Sequence, residues 1–418
     1  MGSNAVFARE GRAWDEIKAE LAENIAADMP VVDPRVFKPA YFHSDEILAI
    51  NEQAFALYLH ENAIYGGSAY PSLKRYEEEI GAMTLELLNA PAGAGCTVTT
   101  GGTESNFMAV KAARDWAREA LPGADRPEMV VPRTAHPSFD KAAGMLGVTV
   151  RRMAASPGYV ADVDAMADAI GPQTVMMVAS APPYPYGQVD PVPELAALAL
   201  HHGLWLHVDG CLGGFALPFV RELRGDFPAF DLGVDGVRSI SADIHKYGFA
   251  AKGVSTLSLR DATESRFLGQ AFDEWPAGLY STKSLAGSRT GGALAAAWSV
   301  MRHLGREGYI ENARRMLAIK DVFLDGVRAI EGLEIVGRPD AYHFAFTADG
   351  YDIGGVGDAL EEKGWQIGRA REPDSIQLML NRIHEGGAPA FLSDLAEGVD
   401  AVKSGRIRSR GARAIYIT

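Results

Sequence analysis

Residues 174–210 read TVMMVASAPPYPYGQVDPVPELAALALHHGLWLHVDG. Two short apolar runs, Thr174–Ala179 and Trp205–Val208, flank a helical stretch. Neither run alternates with polar residues, the pattern of a strand covered on both faces. Comparable runs recur at Met129–Val131, Val148–Arg152, Gly236–Ser239 and Ser255–Leu259, and helical stretches separate most of them. This alternation predicts an α/β fold with a mainly parallel sheet wrapped by helices. Ligands of such sheets bind beyond the C-terminal strand ends, so polar residues just after each run are the first candidates for a site.

Outward from this centre the pattern changes. Towards the N-terminus the spacing predicts an amphipathic helix at about Ala13–Ala27 and a proline-rich arm with Pro30, Pro34 and Pro39. A helix over Ser44–Glu61 follows, with Ser44 as its N-cap, then one from Pro71 that stops before Asn89. Towards the C-terminus a helical stretch from Ala293 to Ile330 is expected to break near Gly305 and Gly308. Beyond it lies an α+β region with strands at Leu333–Val336, His343–Phe346 and Ile376–Met379 and helices at Val356–Lys363 and Pro389–Lys403. The implied division is an N-terminal helical arm at 1–65, a large domain at 66–305 and a small domain at 306–418.

Composition narrows the class. With 418 residues the chain is long enough for two domains, and 22% charged and 47% hydrophobic residues suit a globular protein. A net charge of −14 argues against nucleic acid as a partner. The two cysteines, Cys96 and Cys211, make neither a disulfide framework nor a zinc motif, and a reducing cytoplasm is the expected compartment. No apolar run is long enough to span a bilayer, and the N-terminus lacks the layout of a signal peptide.

Three stretches carry chemistry. In Thr99-Thr100-Gly101-Gly102-Thr103-Glu104-Ser105-Asn106 a glycine pair and a hydroxyl open a helix, which suits a phosphate cradle and equally a plain turn capped by Thr103. In Leu206-His207-Val208-Asp209 a carboxylate ends a strand, where it can protonate a pyridine nitrogen or cap the next turn. In Ser241-Ala242-Asp243-Ile244-His245-Lys246 a lysine follows a strand in an apolar setting. Desolvation and neighbouring cations would lower its pKa and expose a nucleophilic amine. Taken in order, cradle, acid and His-Lys point to pyridoxal 5'-phosphate (PLP) held by Lys246 as a Schiff base. His136 also follows a strand, placed either to stack on a cofactor ring or to open the next helix before Pro137.

VTTGGTESNFMAVKAARD, AHPSFDKAAGMLGV, VDPVPELA, LHVDGCLGGF, SISADIHKYGFAAKG and LAGSRTGG resemble the sphingosine-1-phosphate lyase family within the group II PLP-dependent decarboxylases. The likeness spans about Tyr41 to Gly308. It implies the PLP-dependent transferase fold of type I, aspartate-aminotransferase-like, with a mainly parallel seven-stranded sheet and a small C-terminal α+β domain. It also implies roles. Lys246 binds PLP, Asp209 pairs with the ring nitrogen and His136 stacks on the ring. Gly102, Thr103, Ser241 and His245 hold the cofactor phosphate. Lys252 is the family's second lysine, Cys211 lines the site, and Tyr41 and Asn62 stand near the substrate. Residues 280–289, with Ser284, match a loop that completes the neighbouring subunit's site, so a homodimer with shared sites is expected. The family's Asn-Pro-Leu-His reads Asn62-Ala63-Ile64-Tyr65 here, which puts Tyr65 where a histidine would meet the substrate phosphate.

The expected activity is retro-aldol cleavage of a β-hydroxy amine, phosphorylated in the family, to an aldehyde and an amine. An L-amino-acid α-decarboxylase shares the same motifs and is the alternative. A non-enzymatic nucleotide-binding module is a third reading, but it lacks GxGxxG or GKT after the first strand and leaves His245-Lys246 without a role.

Overall fold

The computed structural model describes residues 7–30, 32–37 and 41–411; Pro39 of the expected arm lies outside them. Three helices, α1 (Trp14–Ala27), α2 (Asp45–Leu57) and α3 (Pro71–Leu87), precede β1 (Gly95–Thr99). Then follow α4 (Gly102–Ala120), β2 (Glu128–Pro132), α5 (Ser138–Leu146), β3 (Thr149–Met153), α6 (Val163–Ala169) and β4 (Thr174–Ser180). The alternation continues through α7 (Val192–His202), β5 (Trp205–Asp209), α8 (Leu217–Arg224), β6 (Val237–Ala242) and β7 (Ser255–Leu259).

These strands form one seven-stranded sheet in the order β1-β7-β6-β5-β4-β2-β3. It is parallel except at β7, which runs antiparallel to both β1 and β6. Every residue of β4 and β5 is buried, as their unbroken apolar runs require. β6 runs three residues past the expected Ser239 because Ser241 and Ala242 continue the ladder with Leu257 and Thr256. α2 begins as expected, with Ser44 Oγ accepting from the Ile47 N–H at 3.3 Å. It ends at Leu57 rather than Glu61, because Asn62 is drawn into a bridge with Thr290.

Downstream come a hairpin of β8 (Gln270–Phe272) and β9 (Tyr280–Thr282), the long α9 (Gly291–Arg328), β10 (Leu333–Ile335), β11 (His343–Ala348), α10 (Ile353–Glu362), β12 (Gly368–Ala370), β13 (Ser375–Met379) and α11 (Ala388–Lys403). α9 bends at Gly305 alone, where φ is 55° and ψ −177°; the expected second break at Gly308 does not occur. The last four strands make an antiparallel sheet, β10-β11-β13-β12. Residues before α2 reach this sheet: Val36 bridges to Gln366, and the buried Phe37 packs against Phe323, Trp365, His384 and Phe391. α1 forms as the spacing predicts, yet none of its residues is buried in the single chain. Among the described residues no helix is long and apolar enough to cross a membrane.

Candidate active site

A cavity of about 460 Å³ opens at the C-terminal ends of the parallel strands. Each wall follows one strand: Thr100, Gly101, Gly102 and Thr103 after β1, His136 after β2, Ser180 at the end of β4, Asp209 at the end of β5, and Asp243, His245 and Lys246 after β6. Tyr41, Tyr184, Cys211 and Lys252 complete it.

The glycine turn is shaped by its neighbours. A Cβ on Gly102 would lie 2.6 Å from Cys211 Sγ and 2.7 Å from Asp243 Oδ2, so only glycine fits. Gly101, the N-cap of α4, offers no side chain to the first-turn N–H groups, which leaves them available to an anion. Asp209 is 7% exposed. Its Oδ1 accepts from the Cys211 N–H at 3.0 Å and Ser241 Oγ at 3.4 Å, and its Oδ2 accepts from Asn106 Nδ2 at 3.1 Å. Lys246 Nζ lies 3.0 Å from Asp243 Oδ2, and Ser255 Oγ donates to Asp243 Oδ1. His136 Nδ1 accepts from the Ser138 N–H at 3.1 Å. Lys252 Nζ donates to His245 O at 2.9 Å and sits 4.6 Å from the centroid of the Tyr41 ring. Ser180 Oγ is buried in the cavity wall with no hydrogen-bond partner within the protein.

The description "Pyridoxal-dependent decarboxylase conserved domain" matches residues 2–348. A sphingosine-1-phosphate lyase of Arabidopsis thaliana is 39% identical over 366 residues, covering 86% of this chain and 67% of that protein. The chain belongs to the pyridoxal-dependent decarboxylase family. A solved sphingosine-1-phosphate lyase of Burkholderia pseudomallei superposes with a TM-score of 0.92 at 37% identity, over 97% of this chain and 94% of that one. A Methanothermobacter thermautotrophicus protein named "Probable L-tyrosine/L-aspartate decarboxylase" is 36% identical over 331 residues, 78% of this chain and 87% of that one. This family member is a PLP-dependent lyase of fold type I.

The residues present fit PLP. The uncapped turn of α4 suits a phosphate, Asp209 offers a carboxylate oxygen with spare acceptor capacity, Lys246 brings a primary amine, and Ser180 has an unused hydroxyl. Burial opposes the charge of Asp209, but His136, Cys211 and Lys246 more than offset it and hold the carboxyl below its ordinary range. Burial pushes His136 below the usual histidine value, and burial pushes His245 down to about 4, so the His245 ring is neutral at pH 7.

At Lys246 the outcome reverses the sequence expectation. Burial does act to lower its pKa, but Asp243 at 3.0 Å, with Tyr41, Cys211 and Asp209, outweighs it and raises the value well above that of an ordinary lysine. The neighbour that decides its charge is the Asp243 carboxylate, not a cation. Lys252 moves the other way, to about 8, through crowding by protein atoms and the charge of Lys246.

Nine of the residues singled out from sequence meet in the cavity: Tyr41, Gly102, Thr103, His136, Asp209, Cys211, His245, Lys246 and Lys252. Ser241 lies one layer beneath, bonded to Cys211 Sγ at 3.2 Å and to Asp209. Asn62, Tyr65 and Ser284 are not in the wall of this chain's cavity. Asn62 Oδ1 accepts from the N–H groups of Ile64 and Arg289, Tyr65 is 56% exposed, and Ser284 Oγ donates to Ala286 O at 2.8 Å. Sequence reading passed over Asn106, Ser180 and Asp243. Asn106 and Asp243 lie inside the quoted motifs, and Ser180 directly follows a strand run; position after a strand would have found it.

Proposed function

We propose that the chain is a carbon–carbon lyase that cleaves the Cα–Cβ bond of a phosphorylated β-hydroxy amine and releases an aldehyde and an amine. The observation that carries this reading is the second ammonium. Lys252 Nζ shares the cavity with Lys246 and stands against the Tyr41 ring, where it provides a positive anchor for an anionic head group.

Lys246 would hold PLP through its amine, the α4 turn with Thr103 and His245 would hold the phosphate, His136 would cover the ring, and Asp209 would accept the ring N–H. Bound there, PLP supplies an electron sink for the pair released when a bond to the amine-bearing carbon breaks. The rest falls to the chain. Lys246 Nζ must give up its proton before it can act as a nucleophile, and Asp243 Oδ2 at 3.0 Å is the group beside that proton. Cleavage requires loss of the β-hydroxyl proton and return of a proton to Cα; Tyr41 and Lys252 are the cavity groups we assign to that exchange. Pro182, Pro183 and Leu212 make the wall beside them apolar.

The same proposal includes a cytoplasmic homodimer whose sites are shared, with Asn62, Tyr65 and Ser284 serving the partner's cavity. It also includes the division into arm 1–65, large domain 66–305 and small domain 306–418, which the bend of α9 at Gly305 supports. α-Decarboxylation is the second reading, favoured by the likeness to the Methanothermobacter protein. A panel of β-hydroxy amine phosphates and L-amino acids, assayed for aldehyde and for CO₂, separates the two. Aldehyde from the phosphorylated amine is expected; CO₂ without aldehyde, at a useful rate, would replace the lyase with the decarboxylase.

A further inference from the structure

Beneath the cavity floor a line of buried side chains runs along one face of the sheet, past Trp205 and His207 of β5 to Asp209. Trp205 Nε1 donates to Ser239 Oγ at 2.8 Å. Ser239 Oγ is 2.8 Å from His207 Nδ1, and His207 Nε2 is 3.3 Å from Asn106 Oδ1. Asn106 Nδ2 then reaches Asp209 Oδ2 at 3.1 Å and Ser138 Oγ at 3.0 Å. Trp205, Ser239 and His207 are fully buried and Asn106 is 1% exposed, so no water competes for these groups.

The chemistry of the two ends fixes the direction of every bond between them. An ionised Asp209 can only accept, so the Asn106 amide nitrogen must point to it. That turns Asn106 Oδ1, an acceptor, towards His207 Nε2, which must therefore carry the ring hydrogen. His207 is neutral, because complete burial lowers its pKa to about 4. Its Nδ1 is then bare and must accept, and the only hydrogen offered is that of the Ser239 hydroxyl. At the other end an indole N–H can only donate, and it occupies Ser239 as an acceptor, leaving that hydroxyl hydrogen free to point to His207. Both ends demand the same orientation. Protonating Asp209 on Oδ2 would set a hydrogen against the Asn106 amide and leave a buried donor without an acceptor, or require the whole line to reverse against Trp205.

We infer that Asn106 and His207 are positioning residues, the end of a one-way donor line that keeps Asp209 ionised and its carboxylate aimed into the cavity. The inference rests on the reading of Asp209 as partner of the PLP ring nitrogen, and it extends that reading to residues outside the proposed catalytic set. Deleting the last donor removes a hydrogen bond to a buried charge. That loss corresponds to a change of about 10- to 100-fold in what Asp209 does.

The test uses the full chain loaded with PLP and measures cofactor dissociation and the visible absorption of the bound cofactor as a function of pH, with turnover as a third measurement. In Asn106→Leu we expect about 10-fold or greater weakening of PLP retention, a displaced pH dependence of the absorption band, and a fall in kcat at nearly constant KM. His207→Leu should shift the same quantities in the same direction. His207→Gln, whose amide can again donate to Asn106, should restore most of the loss, which a role limited to packing would not produce. If Asn106→Leu fails to fold, Asn106→Asp keeps the shape while replacing the donor with an acceptor, and the same displacement is expected. Wild-type retention and wild-type absorption in the folded Asn106 variant would overturn the inference while leaving PLP on Lys246 untouched. Failure of the wild-type chain to bind PLP at all would instead overturn the reading on which it rests.

Discussion

Asp209, buried, and Lys246, half-buried, are ions whose charge survives because opposite charge or donors outweigh desolvation. Asp209→Asn keeps the shape and removes the charge. A loss in kcat of more than about 100-fold is expected, the scale of removing one charged electrostatic partner, and near-normal turnover would reduce Asp209 to a cap of the turn after β5. Lys252 gives a pH signature. Its pKa is lowered to about 8, so the ammonium is present below that value and is lost as pH rises through it. A substrate phosphate is already dianionic across this range, its second pKa being about 6. KM for a phosphorylated amine should rise between about pH 7 and about pH 9, where an ordinary lysine would still be charged. In Lys252→Met that rise should vanish from a KM that is already high. A KM rise that persists unchanged in Lys252→Met would place the titration elsewhere. Single residues also mark where sequence reading stopped. A motif shows that Lys246 follows a strand, but it does not show which charge stands beside the amine, and Asp243 three residues earlier reversed the sign of the expected shift.

At the scale of elements, legibility followed burial. β4 and β5 were readable because burial on both faces demands unbroken apolar runs, while the edge strand β3, with no buried residue, was readable only from its place between helices. β1 was not, since Gly95-Cys96-Thr97-Val98-Thr99 holds its place by pairing with β7 rather than by apolar content. Among the three-residue strands β10, whose Leu333 is buried, was legible, whereas β8, β9 and β12 hold no buried residue to mark them. In α9 two glycines looked like breaks, yet only Gly305 adopts a backbone closed to other residues, while Gly308 stays helical against Leu304. Gly305→Ala should therefore destabilise the fold by about 1–3 kcal/mol, the cost of forcing a side chain into that region. The corresponding drop in Tm should exceed that of Gly308→Ala. Equal behaviour of the two variants would mean that the bend is not imposed by Gly305.

For the whole molecule the open question is how one chain completes a site when three of its candidate residues lie elsewhere. Ser284 follows β9 in a segment tied to this chain's own glycine turn, since Glu104 Oε1 accepts from the N–H groups of Leu285 and Ala286 while its Oε2 accepts from Thr100 N–H. The loop is thus anchored beside one cavity without entering it. α1 leaves Trp14, Leu21 and Ile25 exposed, an apolar face that a second copy of the chain would cover in the proposed dimer. Twofold symmetry makes sharing reciprocal, and reciprocity can be tested by complementation. Lys246→Ala lacks the cofactor amine but keeps its loop; Ser284→Trp keeps the amine but distorts the loop. Each homodimer should be nearly inactive. In a mixed dimer, the subunit with Lys246 receives the intact loop of its Lys246→Ala partner, so one of the two sites is whole. Unfolding and refolding an equal mixture should give about half mixed dimers and hence about a quarter of the wild-type activity. If each loop served only its own chain, no pairing would put an intact loop beside an intact lysine, and the mixture would stay as inactive as its components.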